Sequence, residues 1–383
     1  MSKGRVVDSP VTLENWRSAP YHRWSFQHVR EIVPTADIPN APERVWDLPR
    51  ALADLAGFDL DAWLTATDTD AFVILHRGTV VCETYAHGMT RQTPHILMSV
   101  SKSLTGLVAG ILIANGILDA GAPVAALLPD LAATAYAGAT IRDLLDMRAG
   151  IAFDEDYLAT SGPIVEYRKS HGWRPLDPGD APMDARSFYR QLTAADGPHG
   201  GRFHYVSPNT DLLGIAIEAA AGQRFADLMS TLLWQPLGAE RSAYITVDRL
   251  GAPRTAGGIC ATVTDLARVG QLIVDGGVRA GRHVLPEAWI ADVIANGDAA
   301  AWNAGDFAPY FPGLPMHYRS QWYVVHGSRP LLFALGVHGQ NLFVDPEREL
   351  VFAKVSSQVL PMDVDRITQT MRGIQAMTKV LTS

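Results

Sequence analysis

Ser99 and Lys102, three residues apart in the stretch Ser99-Val100-Ser101-Lys102, stand at the mouth of the apolar run 104–113. If that run is helical, positions i and i+3 share a face, and a hydroxyl lies beside an amine able to take its proton. Of the 32 basic residues only five are lysines, so a lysine inside the most hydrophobic stretch is an unusual place for a surface charge. Desolvation lowers the proton affinity of an ammonium, which is what a general base requires. The same spacing arises by chance roughly once in a chain of this size, and it also describes a lysine snorkelling from a helix start. The pair therefore has to be judged with the elements around it.

Those elements can be sketched from patterning. Residues 70–85 alternate around Arg77-Gly78, and the runs 72–76 and 79–85 read as a hairpin. The apolar run after Lys102 ends on Asn115-Gly116, a helix-ending pair, and reads as a central buried helix. From Ala120 to about Leu237 the signals are mostly helical, with a capping-box pattern at Thr140-Ile141-Arg142-Asp143. Residues 154–184, carrying Tyr157, Arg168, Lys169 and Trp173, read as a charged loop of the kind that forms lids. A second capped helix follows Tyr205-Val206-Ser207-Pro208 and runs to Ala221. Strand-like runs return at 321–325, 331–336, 342–344 and 350–355, with a turn at Asp345-Pro346, before an amphipathic helix over 362–381. The first forty residues read as an irregular arm. The expected organisation is an α/β lobe of residues 1–105 and 238–383, interrupted by an all-α lobe of residues 106–237 that carries the lid-like loop.

Bulk properties narrow the function classes. At 383 residues and 48% hydrophobic content the chain can bury a large core, and it carries no internal repeat. A net charge of −8 without a basic block argues against a nucleic-acid partner and for a small-molecule substrate. No run reaches the roughly 18 apolar residues of a membrane span, and the N-terminal stretch lacks an apolar signal core, so a cytoplasmic protein with no membrane partner is expected. Cys82 and Cys260 stand far from any metal-ligand spacing and read as buried free thiols. No nucleotide-binding glycine motif and no HExxH is present, so no cofactor and no metal is expected.

Three pieces occur in order: S-V-S-K at 99–102, Y-V-S at 205–207 and L-G-V-H-G-Q at 335–340. This arrangement resembles the serine β-lactamase and penicillin-binding-protein superfamily, whose signature is S-x-x-K, then S-D-N or Y-x-N, then K-T-G on a strand. Tyrosine in the second motif is closer to the class C and esterase branch. The strings HILMSVSKSLTG, FDEDY, FHYVSPNTDLLG, SQWYV and GVHGQNLFVDP are similar to the 6-aminohexanoate-dimer hydrolases, nylon-oligomer amidases with carboxylesterase activity. The likeness runs along nearly the whole chain. It implies an α+β fold of the serine β-lactamase type, an antiparallel sheet flanked by helices with an inserted all-α lobe. It also implies cleavage of a linear amide or a short-chain ester through an acyl-serine, and leaves a homodimer open.

Carried over residue by residue, the resemblance makes Ser99 the nucleophile, Lys102 its activator and Tyr205 a second proton carrier over the leaving group. A Tyr205 phenolate beside the Lys102 ammonium is expected to titrate with it as a pair. Ser207, where relatives often carry asparagine, is expected to hydrogen-bond this network. Gly336 falls on the last glycine of K-T-G, which leaves Ala334 at the lysine position. Val337 is then expected to offer its backbone N–H, with that of Ser99, to the oxyanion. His338 is either the first residue of a shifted H-G-Q motif or a packing histidine. Tyr157 matches a tyrosine that reaches the leaving group when the loop closes, or else is a surface tyrosine. Tyr323 is expected as an aromatic pocket wall, with Trp322 on the other sheet face. Arg168 aligns with the lid position facing the far end of the substrate, where its charge opposes a substrate ammonium. A catalytically silent binding or sensor protein on the same fold, and a D-amino-acid peptidase, are the competing readings; the missing K-T-G lysine argues against the peptidase.

Overall fold

The computed structural model describes residues 10–383; the first nine residues of the expected arm lie outside it. Among the described residues there are thirteen strands. They are β1 (Thr35–Ile38), β2 (Thr69–His76), β3 (Thr79–Tyr85), β4 (His95–Ile96), β5 (Ala243–Thr246), β6 (Ile259–Ala261), β7 (Val278–Arg279), β8 (Arg282–His283), β9 (Met316–Arg319), β10 (Trp322–Val325), β11 (Leu331–Gly336), β12 (Gln340–Asp345) and β13 (Leu350–Ser356). Seven form one sheet in the order β3-β2-β13-β12-β11-β10-β9, every neighbouring pair antiparallel. A second, four-stranded sheet runs β1-β5-β6-β4. The α+β expectation with an antiparallel sheet holds.

Turn chemistry accounts for the register. Arg77 and Gly78 both sit in the left-handed region, at φ 51° and 72°, so a two-residue turn joins β2 to β3 with His76 opposite Thr79. Ser320 and Gln321, at φ 51° and 71°, do the same between β9 and β10. Gln321, expected at the start of a strand, therefore belongs to the turn, while β12 begins two residues earlier than its apolar core suggested. Alternation then sorts the sheet faces. Trp322, Val324, Leu332 and Ala334 join one core cluster, and Tyr323, Phe333, Phe343 and Phe352 another. Trp322 and Tyr323 thus do face opposite ways.

The helix Val100–Ala114 lies between the large sheet and a helical section, and nearly every one of its residues is buried. A helix apolar on all sides has no solvent face to offer. Gly106 and Gly110 make the fit possible, since a Cβ at either would overlap the Ser320 carbonyl or the Trp289 ring. The expected helix after Tyr205 runs Ser207–Ala221, and the Thr140/Asp143 capping box is formed.

Two expectations need correction. The arm is not wholly irregular, because Thr35–Ile38 is a strand paired with β5. The lid-like loop 154–184 contains the helix Pro163–Ser170, started by Gly162 and by Pro163 at its first turn. Its residues Ile164, Val165 and Tyr167 join the main core, which anchors the segment. Lys169 is not a free lid charge: its Nζ meets Asp177 and Asp180 at 2.7 Å each and Glu166 at 3.2 Å. Cys82 and Cys260 are free and buried, as expected. Among the described residues, no helix is long and apolar enough to cross a membrane.

Candidate active site

Ser99 occupies the N-cap of the helix Val100–Ala114, preceded by Met98 at φ 46°. A left-handed methionine is strained and is held only where its surroundings insist; the bend turns the Ser99 hydroxyl out of the core and into a cavity. Lys102, one turn on, is 1% exposed. Its Nζ lies 2.8 Å from Ser99 Oγ, 3.1 Å from Ser207 Oγ and 2.8 Å from the Ala256 carbonyl oxygen. Three acceptors match the three protons of an ammonium. Burial nevertheless dominates and pulls the amine down to about 7, although Glu155 and Asp211 act the other way. Near neutral pH much of Lys102 is a free amine whose lone pair can accept the Ser99 proton.

Glu155 completes this side of the site, and sequence reasoning missed it. Its carboxylate accepts from Ser207 Oγ at 2.5 Å and from the Ser207 N–H at 2.8 Å. A chain Glu155–Ser207–Lys102–Ser99 follows, with Ser207 as its bridge. The backbone acceptor of Lys102 is supported too. Asp211 accepts the Ala256 N–H at 2.6 Å and pairs with Arg254 and Tyr167. Burial alone would raise the Asp211 carboxyl, but Arg254, His171 and Tyr167 keep it below the usual range.

Tyr205 precedes the helix Ser207–Ala221 in extended chain and is 4% exposed. Lys102 Nζ sits 4.9 Å from its ring centroid, and Ser99 and Tyr323 line the same cavity as its ring. Burial raises the phenol well above its ordinary value. This differs from the expectation of a phenolate paired with an ammonium: burial favours the neutral form of both groups, an arrangement in which Lys102 can accept a proton and Tyr205 can give one. Tyr205 stacks on Phe307 at 4.6 Å, and Tyr323 stacks on Phe333 at 5.1 Å. Tyr205, Phe307 and Tyr323, with Phe311, Leu335 and Met371, line an apolar compartment reaching Ser99. Tyr323 lines it, and Tyr157 lies at the boundary between this compartment and a second one.

Across from Ser99, β11 ends at Gly336. A Cβ there would stand 2.7 Å from the Leu97 carbonyl oxygen and 3.0 Å from Ser99 N, so only glycine lets the strand approach the nucleophile. Val337 follows and borders both compartments. His338, at φ 62°, turns the chain away. Its N–H reaches the Pro361 carbonyl at 3.0 Å and its Nδ1 the Gln358 carbonyl at 2.7 Å. Burial drives its ring down to about 3. Of the two readings of His338, the structure favours the neutral packing histidine. Gln340 Nε2 ties the carbonyls of Val337, His338 and Ser356 together, at 3.2, 3.3 and 2.7 Å. Ala334 is fully buried, so its place on β11 holds no cation.

The second compartment, about 320 Å³, also opens on Ser99 and is bordered by Arg17, Arg168, Arg174 and Arg254. Arg168 is buried and folds back on its own segment, donating to the carbonyls of Tyr157 at 2.9 Å and Ala159 at 3.2 Å. It thus latches the segment carrying Glu155 and Tyr157 as well as facing the cavity. Arg17, Arg174, Arg254, Phe307 and Phe311 had no local signal; they reach the site through the fold, from the arm and from segments far apart in the chain. No group of three or more His, Cys, Asp or Glu suited to a metal ion occurs among the described residues.

Comparison with known proteins gives this geometry a family. The β-lactamase family profile matches residues 62–375. A 6-aminohexanoate-dimer hydrolase from Paenarthrobacter ureafaciens is 38% identical over 358 residues, covering 92% of this chain and 90% of its own. Among solved structures, a Bacillus anthracis protein provisionally named 6-aminohexanoate-dimer hydrolase superposes with TM-score 0.88 at 27% identity, covering 98% of both chains. EstCE1, a hydrolase with promiscuous acyltransferase activity, shares the fold at TM-score 0.65 and 17% identity, over 85% of this chain and 98% of its own.

Proposed function

The chain belongs to the β-lactamase family, and on that footing we propose that it is a serine hydrolase cleaving a linear amide or a short-chain carboxylic ester through an acyl-Ser99 intermediate, in the manner of the 6-aminohexanoate-dimer hydrolases. The observation that carries this reading is the 2.8 Å contact between Ser99 Oγ and a buried lysine whose amine is held down to about 7. A serine hydroxyl is a weak nucleophile unless a base removes its proton as it attacks. Lys102 takes that proton while Ser99 Oγ bonds to the substrate carbonyl carbon. The carbonyl oxygen becomes an oxyanion, received by the N–H groups of Ser99 and Val337. As the tetrahedral species collapses, the leaving amine or alkoxide takes the Tyr205 proton. The Lys102 ammonium returns a proton to Tyr205. Water then attacks the acyl-serine along the same path in reverse, with Lys102 again able to serve as base.

The aromatic compartment suits an uncharged hydrocarbon or aromatic portion, and Tyr205 borders that compartment rather than the cationic one. The leaving group accordingly occupies the aromatic side. The test is pre-steady-state release of p-nitrophenolate from a short-chain ester, run beside an amide and a cephalosporin. A burst matching the enzyme concentration, with turnover of ester and amide, is expected. Absence of any turnover would favour a silent binding protein, and efficient cephalosporin hydrolysis would replace the amide and ester reading.

A further inference from the structure

The cationic compartment carries a charge imbalance that the hydrolytic steps do not use. Four arginines border it, and two carboxylates do, Glu14 and Glu155. Glu155 accepts from both polar groups of Ser207 and its charge favours the Arg168 cation, and Glu14 is exposed, so the arginines still outnumber the carboxylates. Among the described residues no carboxylate lies within ion-pair distance of Arg17, Arg168 or Arg174. Arg168 spends its guanidinium on backbone carbonyls, which orient it without neutralising it. Arg17 lies 5.8 Å from the ring centroids of both Trp16 and Trp173, contacts that fix its direction and leave its charge unmatched. Arg254 is paired with Asp211, yet its Nε is buried and has no partner among the described residues. Arg17, half-buried at the cavity edge, is brought down to about 9, first by loss of solvent and then by the neighbouring Arg168, Arg254 and Arg174. Arg168 is buried, Arg17 and Arg174 are half-buried, and none of the three has a carboxylate partner among the described residues, so an anionic ligand gains charge-assisted hydrogen bonds here without displacing a counter-ion.

The side of the substrate follows from Tyr205. If the leaving group lies in the aromatic compartment, next to the proton it needs, the acyl chain bonded to Ser99 runs into the cationic one. We propose that the acyl half of the substrate ends in a carboxylate received by Arg17 and Arg174, so that preferred substrates are half-amides and half-esters of short dicarboxylic acids. This rests on the hydrolase reading above and adds the charge of the acyl terminus. An acyl chain ending in an ammonium meets four arginines here and is disfavoured.

The test compares p-nitrophenyl hydrogen adipate, p-nitrophenyl hexanoate and p-nitrophenyl 6-(trimethylammonio)hexanoate, which differ in the terminal charge of the acyl chain. The expected order of kcat/KM places the carboxylate first, at least about tenfold above the neutral ester, with the cationic ester last. The ratio of carboxylate to neutral ester should shrink as salt is raised and should collapse toward one in Arg17→Met and Arg174→Met. Equal rates for the carboxylate and neutral esters, or a preference for the cationic ester, overturn the inference and leave the hydrolase reading standing. If none of the three is hydrolysed, the hydrolase reading fails instead. Calorimetric titration of the Ser99→Ala protein with adipate then decides the charge preference: binding weakened by Arg17→Met supports the anion site, and no binding overturns it.

Discussion

At the scale of single residues, the account turns on two neutral groups in a dry pocket. Lys102 must be unprotonated to accept the Ser99 proton, so kcat/KM for an activated ester should rise with pH through about 7 and then level. Because Glu155 raises the Lys102 amine, Glu155→Gln should move that midpoint to lower pH; a shift upward in the pH–rate profile would contradict the Glu155–Ser207–Lys102 chain. Tyr205→Phe should reduce amide hydrolysis by at least about a hundredfold and p-nitrophenyl ester hydrolysis by less than about tenfold, since p-nitrophenolate leaves without a proton. Comparable losses on both substrates in steady-state assays would remove Tyr205 as the acid. Ser99 and Lys102 stand out in the sequence by their spacing, while Tyr205 and Val337 are proposed through the resemblance of their strings to the family's motifs. Glu155 and Arg17 do not stand out, because what makes them matter is a contact across 52 residues in one case and a shared cavity in the other. The lowered Lys102 amine agrees with the desolvation argument, whereas the Tyr205 phenol differs from the expected phenolate because burial, which spacing does not report, outweighs the nearby charge.

At the scale of elements, the site exists because a helix start, an extended segment and a strand end converge. The strand end is the most sensitive. Gly336→Ala places a methyl against the Leu97 carbonyl and Ser99 N, so β11 must move away from the helix, and Val337, the proposed oxyanion donor, moves with it. Loss of one oxyanion donor costs roughly 100- to 1000-fold in kcat. The variant should therefore fold, by circular dichroism, and lose at least about tenfold in kcat with little change in KM; wild-type kcat would show that Val337 is not a donor. Strands and capped helices were readable because turn pairs such as Arg77-Gly78 and the Thr140/Asp143 box act locally. The helix Pro163–Ser170 was not, since its charged residues hide an apolar face set by Ile164, Val165 and Tyr167, and its lysine is neutralised by carboxylates beyond its own turn.

At the scale of the whole molecule, buried amines tie stability to pH. Lys102 and Lys354 are both fully buried and both fall to about 7 from 10.5. The unfolded chain binds more protons than the folded one between those values, so stability rises as pH increases from about 7 to about 10.5, by up to about 1.4 kcal/mol per pH unit for each group. Lys354, held by the Thr67 and Gly339 carbonyls at 3.3 Å each, lies outside the catalytic network. Lys354→Met should flatten the rise of the urea midpoint with pH, and an unchanged slope would show that the amine is charged when folded. The account as a whole stands on covalent catalysis. Its most direct test is intact-protein mass spectrometry after rapid acid quench of the enzyme with a p-nitrophenyl ester, followed by peptide mapping. The account predicts one acyl group per chain, carried on the peptide containing Ser99 and absent from Ser99→Ala, which also loses turnover. An adduct on another residue, or Ser99→Ala keeping more than about a tenth of wild-type ester hydrolysis, would contradict it.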